Sequence, residues 1–282
     1  MNVFYLISII LGIAIQNIVK KPYTIKTKGN GSYFFGAVMS FSATLTFLII
    51  CRKPIINPYV IPYAAAFAIL HSVATVSTVI AISCGLLSLT SLMIQYSLML
   101  PTFYGLFFLN DPLSIGFIPG LIFLIISILL INKKDENKIL SFKWIVATFF
   151  AFLCNGLCTI VQRVQQIKFD SQYNNEFMLI ARIICLFGFF MLFFIKERKD
   201  LKLYVKSGWQ YAFVCGLANS IVNIFVMLLS DNMWLSLMFP LISAGGIIVT
   251  YLVSILLYKV SFSKKQFTGF IFGIISIVLL NI

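Results

Sequence analysis

Charge is what this sequence has least of. Lys, Arg, Asp and Glu supply 10% of its 282 residues, where a water-soluble domain carries about 25%. The shortage is sharpest on the acidic side. The eight carboxylates are Asp111, Asp135, Glu136, Asp170, Glu176, Glu197, Asp200 and Asp231, and each falls in a predicted loop or at a helix end. There is one histidine, so a His-Glu-x-x-His metal site is excluded, and no Ser-His-Asp set or glycine-rich phosphate loop can be assembled. No apolar run holds paired carboxylates. These absences argue against an enzyme and against a resident metal or cofactor. The six cysteines (Cys51, Cys84, Cys154, Cys158, Cys185, Cys215) make no metal spacing either. Cys154 and Cys158 only share a helix face at i,i+4, and inert packing is the expectation for all six.

What is present in excess is apolar surface. Hydrophobic residues make up 61% of the chain and mean hydropathy is +1.02. Apolar runs of roughly 20 residues recur throughout, each long enough to cross about 30 Å of hydrocarbon. The expectation is a polytopic protein of the plasma membrane, with the lipid bilayer as its first partner. The net charge of +13 does not point to nucleic acid, because the basic residues sit in short loops between apolar runs, as membrane topology requires.

The end of the chain has been seen before within it. Val260–Asn281 lies without a gap on Asp111–Asn132 at an offset of 149, with ten of 22 pairs identical. Matching isoleucines carry little weight in so Ile-rich a chain. The pairs Ser114/Ser263, Gly120/Gly269, Ser127/Ser276 and Asn132/Asn281 carry more. A fainter echo at offset 142 sets Ile18-Val19-Lys20-Lys21 over Ile160-Val161-Gln162-Arg163. The chain therefore reads as a tandem duplication. Residues 1–132 and 142–282 are the two halves, and the charged stretch 133–141 links them.

Each half divides into five spans, an all-α architecture of ten transmembrane helices. The spacing predicts helices over about Val3–Val19, Tyr33–Ile50, Tyr59–Ser83, Leu87–Leu109 (interrupted by Pro101) and Ser114–Ile131. The second set covers about Phe142–Val161, Phe177–Ile195, Trp209–Leu229, Trp234–Tyr258 and Phe267–Ile282. Five is odd, so the second copy must enter the membrane from the opposite side. Such inverted repeats place a site between the halves near the bilayer midplane.

Uncharged polar side chains inside spans turn away from lipid, toward the bundle interior or a wet cavity. The candidates are Gln16, Asn17, His71, Thr75 and Gln95 in the first half. In the second they are Asn155, Thr159, Asn219, Asn223 and Ser243. Three i,i+4 pairs share a face: His71 with Thr75, Asn155 with Thr159, and Asn219 with Asn223. Any one of them could be a hydrogen bond between helices, but the set is expected to line a cavity. His71, among Ser and Thr, is expected as a neutral, hydrogen-bonded imidazole. Arg182, early in its span, is expected to snorkel to the nearby surface. Gly116-x-x-x-Gly120 and Gly269-x-x-x-Gly273 fit close helix packing and give a weak case for a homodimer.

Ten helices in two copies, each closing with a serine, a glycine six residues on and an Ile-rich helix, resemble the drug/metabolite transporter superfamily, EamA-type. The stretches that carry the resemblance are Ser97–Asn132 and Phe239–Asn281. The glutamate often found before the last helix of each repeat is replaced here by Asp111 and Val260. The resemblance implies a secondary transporter of a small organic metabolite or drug, working by alternating access through a central cavity. The alternative is a non-transporting membrane receptor or assembly protein. Loops after spans 1, 5, 7 and 9 hold 16 of the 21 basic residues. Those loops should face the cytoplasm and both termini the outside.

Overall fold

The computed structural model describes residues 2–27, 30–84, 87–112, 115–131, 141–258 and 264–280. Every regular element among them is helical. They are α1 (Asn2–Lys26), α2 (Ser32–Cys51), α3 (Ile61–Cys84), α4 (Leu87–Tyr96), α5 (Met99–Phe108), α6 (Phe117–Ile131), α7 (Phe142–Lys168), α8 (Asn174–Lys196), α9 (Leu201–Ser230), α10 (Leu235–Tyr258) and α11 (Lys264–Leu280). Nearly all of the charged linker, and the loop holding Val260 and Ser263, lie outside the described residues. Among the described residues, six helical segments are long and apolar enough to cross a membrane: 2–26, 32–51, 58–84, 142–168, 174–196 and 208–230. The chain is an all-α, multi-pass membrane protein.

Helix is the form a chain must take in hydrocarbon, because every backbone group has to be satisfied within its own segment. Which face turns inward follows from side-chain size and polarity. On α2, Gly36, Ser40, Ala43 and Thr44 are buried while Phe41, Leu45, Leu48 and Ile49 are exposed. The buried hydroxyl of Thr44 bonds back to the Ser40 carbonyl at 2.8 Å, so it adds no unmet polar group. On α8 the exposed face is Phe187, Phe190, Met191 and Phe194, and the buried stripe is Met178, Ala181, Arg182, Cys185, Phe189 and Phe193.

The helices pack in pairs that cross between the halves. α1 lies along α9 and α3 along α7, while α2 meets α8 and α9, α10 meets α1 and α5, and α6 runs against α11. The last of these pairs has a reciprocal pattern. Ser127 Oγ donates to the Gly269 carbonyl at 2.6 Å, and Ser276 Oγ donates to the Gly120 carbonyl at 2.8 Å. Phe123 and Phe272 tilt together at 5.3 Å between centroids. A Cβ at Gly116 would strike the backbone of Leu279. The glycine stripes offered above as a weak homodimer signal thus pack on each other within one chain.

Three boundaries differ from the sequence reading, each for a physical reason. The fourth span breaks at Ser97 and Leu98, not at Pro101 itself. The proline ring clashes with the carbonyl four residues earlier, which is that of Ser97, so the distortion falls there. That carbonyl accepts instead from the Leu100 amide at 3.1 Å. α1 continues through Pro22 to Lys26 because Tyr23 is fully buried with Phe35 and Tyr204. The same cluster starts α9 at Leu201, two turns before the apolar run begins.

Two acids close helix ends across the bundle. Glu197 accepts from the amides of Tyr33 (3.3 Å) and Phe34 (2.9 Å), and Asp111 accepts from the Ser236 amide at 3.0 Å. A carboxylate at a helix N-terminus satisfies amides that have no partner within the helix and opposes the helix dipole. Glu197 ties the loop after α8 to the start of α2, so two of the basic loops lie at one end of the molecule. Asp231 gathers Arg163 (3.2 Å), Gln166 (3.4 Å) and Ser171 (2.8 Å) at another group of loops, those after α7 and α9.

Close approach of α2 and α9 depends on Gly216, whose added Cβ would collide with the Met39 carbonyl and the Ser42 hydroxyl. Backbone cannot yield as a side-chain tip can. Gly216→Val should cost about 2–3 kcal/mol through overpacking. Gly188 has nothing within 4 Å of its would-be Cβ, so Gly188→Ala should be neutral or stabilise by up to about 1 kcal/mol. Thermal unfolding of the two purified variants in the same detergent checks the contrast.

Candidate functional site

The cross-paired helices leave a central cavity of about 150 Å³. At 10–15 Å³ of such space per water, that is room for roughly ten waters or one small organic molecule. Its wall comes from α1, α2, α3, α4, α7, α9 and α10, with Leu98 at the break between α4 and α5. Gln16, Asn17, His71, Thr75, Gln95, Asn155, Thr159, Asn219 and Asn223 all line it, so nine of the ten polar candidates come together from three elements of one half and two of the other. Each i,i+4 pair presents both members to the cavity. Ser243 is the exception. It is buried, and its Oγ donates to the Gln95 carbonyl at 3.4 Å, tying α10 to the broken span.

The floor of polar groups is a connected network organised by a residue that sequence reasoning placed elsewhere. Arg182 lies about 12 Å along α8 from its start. Its side chain is 0% exposed, whereas Phe187 on the lipid face of the same helix is 68% exposed. It does not snorkel. Snorkelling requires a side chain that runs along the outer surface, and Arg182 belongs to the inward stripe of Met178, Cys185 and Phe189. Its Nη1 lies 2.6 Å from His71 Nε2 and its Nη2 donates to Asn219 Oδ1 at 2.5 Å. The guanidinium also sits over the Phe67 ring, 5.6 Å from the centroid, and Phe67 stacks on His71.

These contacts fix the chemistry of His71. A guanidinium can only donate, so Nε2 must be the acceptor and the imidazole is the neutral Nδ1–H tautomer. The neutral imidazole matches the sequence expectation, but its partner is an arginine from α8 and not a hydroxyl on its own helix. Asn219 is equally constrained. Its Oδ1 takes Arg182 and a hydrogen from Asn223 Nδ2 at 3.1 Å, while its own Nδ2 donates to Gln16 Oε1 at 3.0 Å. Asn155 Nδ2 reaches Ser97 Oγ at 3.3 Å, and Ser97 closes onto the Ile94 carbonyl at 2.5 Å. The serine at the break thus holds a cavity residue from the facing helix.

Three further polar lining residues were not among the candidates: Lys20, Gln162 and Thr78, which lies three residues beyond Thr75 on α3. Lys20 belongs to α1 and is half-buried at the cavity wall, beyond the Val19 limit assigned to the first span. Gln162 lines the cavity one turn after Cys158 and sends Nε2 toward the Asn223 carbonyl at 3.5 Å. Gln95 is 6% exposed and its Nε2 has no hydrogen-bond partner. That unmet donor is packed against α10 beside Gly246, a buried polar atom left without a partner.

No family model matches the chain, and no curated protein matches its sequence. Among solved structures, a chain described only as "Crystal structure of protein" superposes with a TM-score of 0.66 over 96% of both chains at 10% identity. At that identity the likeness concerns the fold alone: a very different sequence adopts the same arrangement over nearly its whole length.

Proposed function

We propose that this protein is a secondary transporter of the drug/metabolite type, carrying a small organic solute across the plasma membrane through the central cavity. The observation that carries the reading is the convergence of nine polar residues from five helices around one central cavity, inside a bundle whose outer surface is Phe, Ile and Leu. Polar groups in hydrocarbon are costly, and a cavity-lining role accounts for so many of them on inward faces.

The reading includes ten spans in two inverted halves. The reciprocal α6–α11 contacts support it, because the offset of 149 maps Ser127 onto Ser276 and Gly120 onto Gly269. The same offset maps Phe123 onto Phe272, so this pair would sit on the pseudo-two-fold axis. Under that symmetry α1 against α9 is the counterpart of α7 against α3. Both pairs are in close contact. Halves related in this way can rock about the central site and open it to each side in turn.

Counterflow in proteoliposomes tests the function. A transporter accumulates labelled solute against preloaded unlabelled solute, and a receptor or assembly protein does not. Orientation follows from the basic loops: Asn30 should be cytoplasmic and Asn232 external. In a cysteine-free background, an impermeant thiol reagent on intact cells should label Asn232→Cys and spare Asn30→Cys. The opposite pattern would overturn the topology.

A further inference from the structure

We infer that the solute is an organic oxyanion, bearing a carboxylate or a phosphate; this deepens the transporter reading and rests on it. The cavity's charge is one-sided. Lys20 is the charged residue in its lining, and Arg182 stands directly behind two lining residues, His71 and Asn219. Among the described residues, no aspartate or glutamate lines the cavity. Among the described residues the ion pair is Arg163 with Asp231, at a loop, so neither Lys20 nor Arg182 has a carboxylate partner.

A fully buried guanidinium held only by neutral groups is an incomplete arrangement. His71 and Asn219 satisfy its terminal nitrogens but supply no negative charge, and its Nε has no partner. Buried charges are retained where something pairs with them, and in membrane proteins that partner is often the cargo. Lys20 Nζ and the Nδ1–H of His71 can donate to a ligand, while Oδ1 of Asn219 and Oε1 of Gln16 are already taken. An oxyanion supplies both the acceptors and the missing charge. A cation would add to the positive field, and a neutral solute would leave it uncompensated.

The test is a thermal-shift panel on the purified full chain at constant ionic strength. Glutamate, succinate, inorganic phosphate and glucose 6-phosphate stand against glutamine, glucose and putrescine. Ligands that bind the folded state raise its melting temperature by mass action. Stabilisation by an anion is expected, and whether the carboxylates or the phosphates act tells the two headgroups apart. Lys20→Gln should then bind the same anion roughly ten- to hundredfold more weakly, the worth of a charge-assisted hydrogen bond, while melting normally without ligand. Stabilisation by glucose, glutamine or putrescine alone would overturn the anion and leave the transporter intact. A flat response to every anion would overturn it too. Counterflow with the solute that does bind tests the transport reading separately.

Discussion

Asn219→Leu should destabilise the protein by about 3 kcal/mol, because it leaves a buried guanidinium nitrogen without its acceptor. Leucine has the same branched shape and is no smaller, so the loss would not come from a cavity. It would come from Arg182 Nη2 and Gln16 Oε1, both of which face Asn219 inside the bundle. The second substitution Arg182→Met should restore most of that stability, since it removes the stranded charge along with the group that needed it. His71→Gln should be tolerated, as an amide oxygen can replace Nε2 as the acceptor. His71→Leu should behave like Asn219→Leu. Thermal unfolding of the single and double variants reads the coupling directly. Additive losses in Asn219→Leu/Arg182→Met would mean that the guanidinium is not what Asn219 serves.

Asn155→Leu should show the reverse profile, with folding kept and transport lost. Asn155 makes one long hydrogen bond to Ser97 and is half-buried at the cavity wall. Removing that bond should cost about 1 kcal/mol of stability. A solute whose polar group then meets leucine has an unmet hydrogen-bonding group in a confined site. Transport at limiting solute should fall roughly ten- to hundredfold. Initial rates of counterflow, compared with melting temperature in the same preparation, separate the two effects. A variant that melts normally and transports normally would remove α7 from the solute path. The pair of experiments also separates two kinds of cavity residue: Asn219 lines the wall while holding the buried Arg182 behind it, and Asn155 makes only one long side-chain bond there.

Much of this site was legible because a polar residue inside an apolar run has few places to go. Spacing alone put His71 with Thr75, Asn155 with Thr159 and Asn219 with Asn223 on common faces, and all six line one cavity. Arg182 was misread because only its distance from the helix end was weighed. The face it occupies carried the better signal: Met178, Ala181, Cys185 and Phe189 recur at helical spacing around it, while the phenylalanines facing lipid lie on the opposite side. Lys20 was misplaced because a helix was assumed to stop where hydropathy falls, yet Tyr23 packing carries α1 onward. The break at Ser97 required knowing that a proline acts on the carbonyl four residues before it. Which polar group meets which across helices could not come from one strand of sequence, since pairs such as Asn219–Gln16 are about 200 positions apart. Repeat arithmetic did better. It paired Ser127 with Ser276, and both serines donate to the glycine that the same offset assigns to the opposite copy.

Accessibility of a single cysteine at Thr159 tests alternating access through this cavity most directly. Thr159 lines the cavity on α7 and its hydroxyl bonds only within its own helix, to the Asn155 carbonyl at 3.4 Å. In a cysteine-free background, Thr159→Cys would be exposed to an impermeant thiol reagent in right-side-out and in inside-out vesicles. The account predicts labelling from both sides, and a transported solute should slow the reaction from each. Labelling from one side only, unchanged by any solute, would contradict it and make the cavity a static pocket.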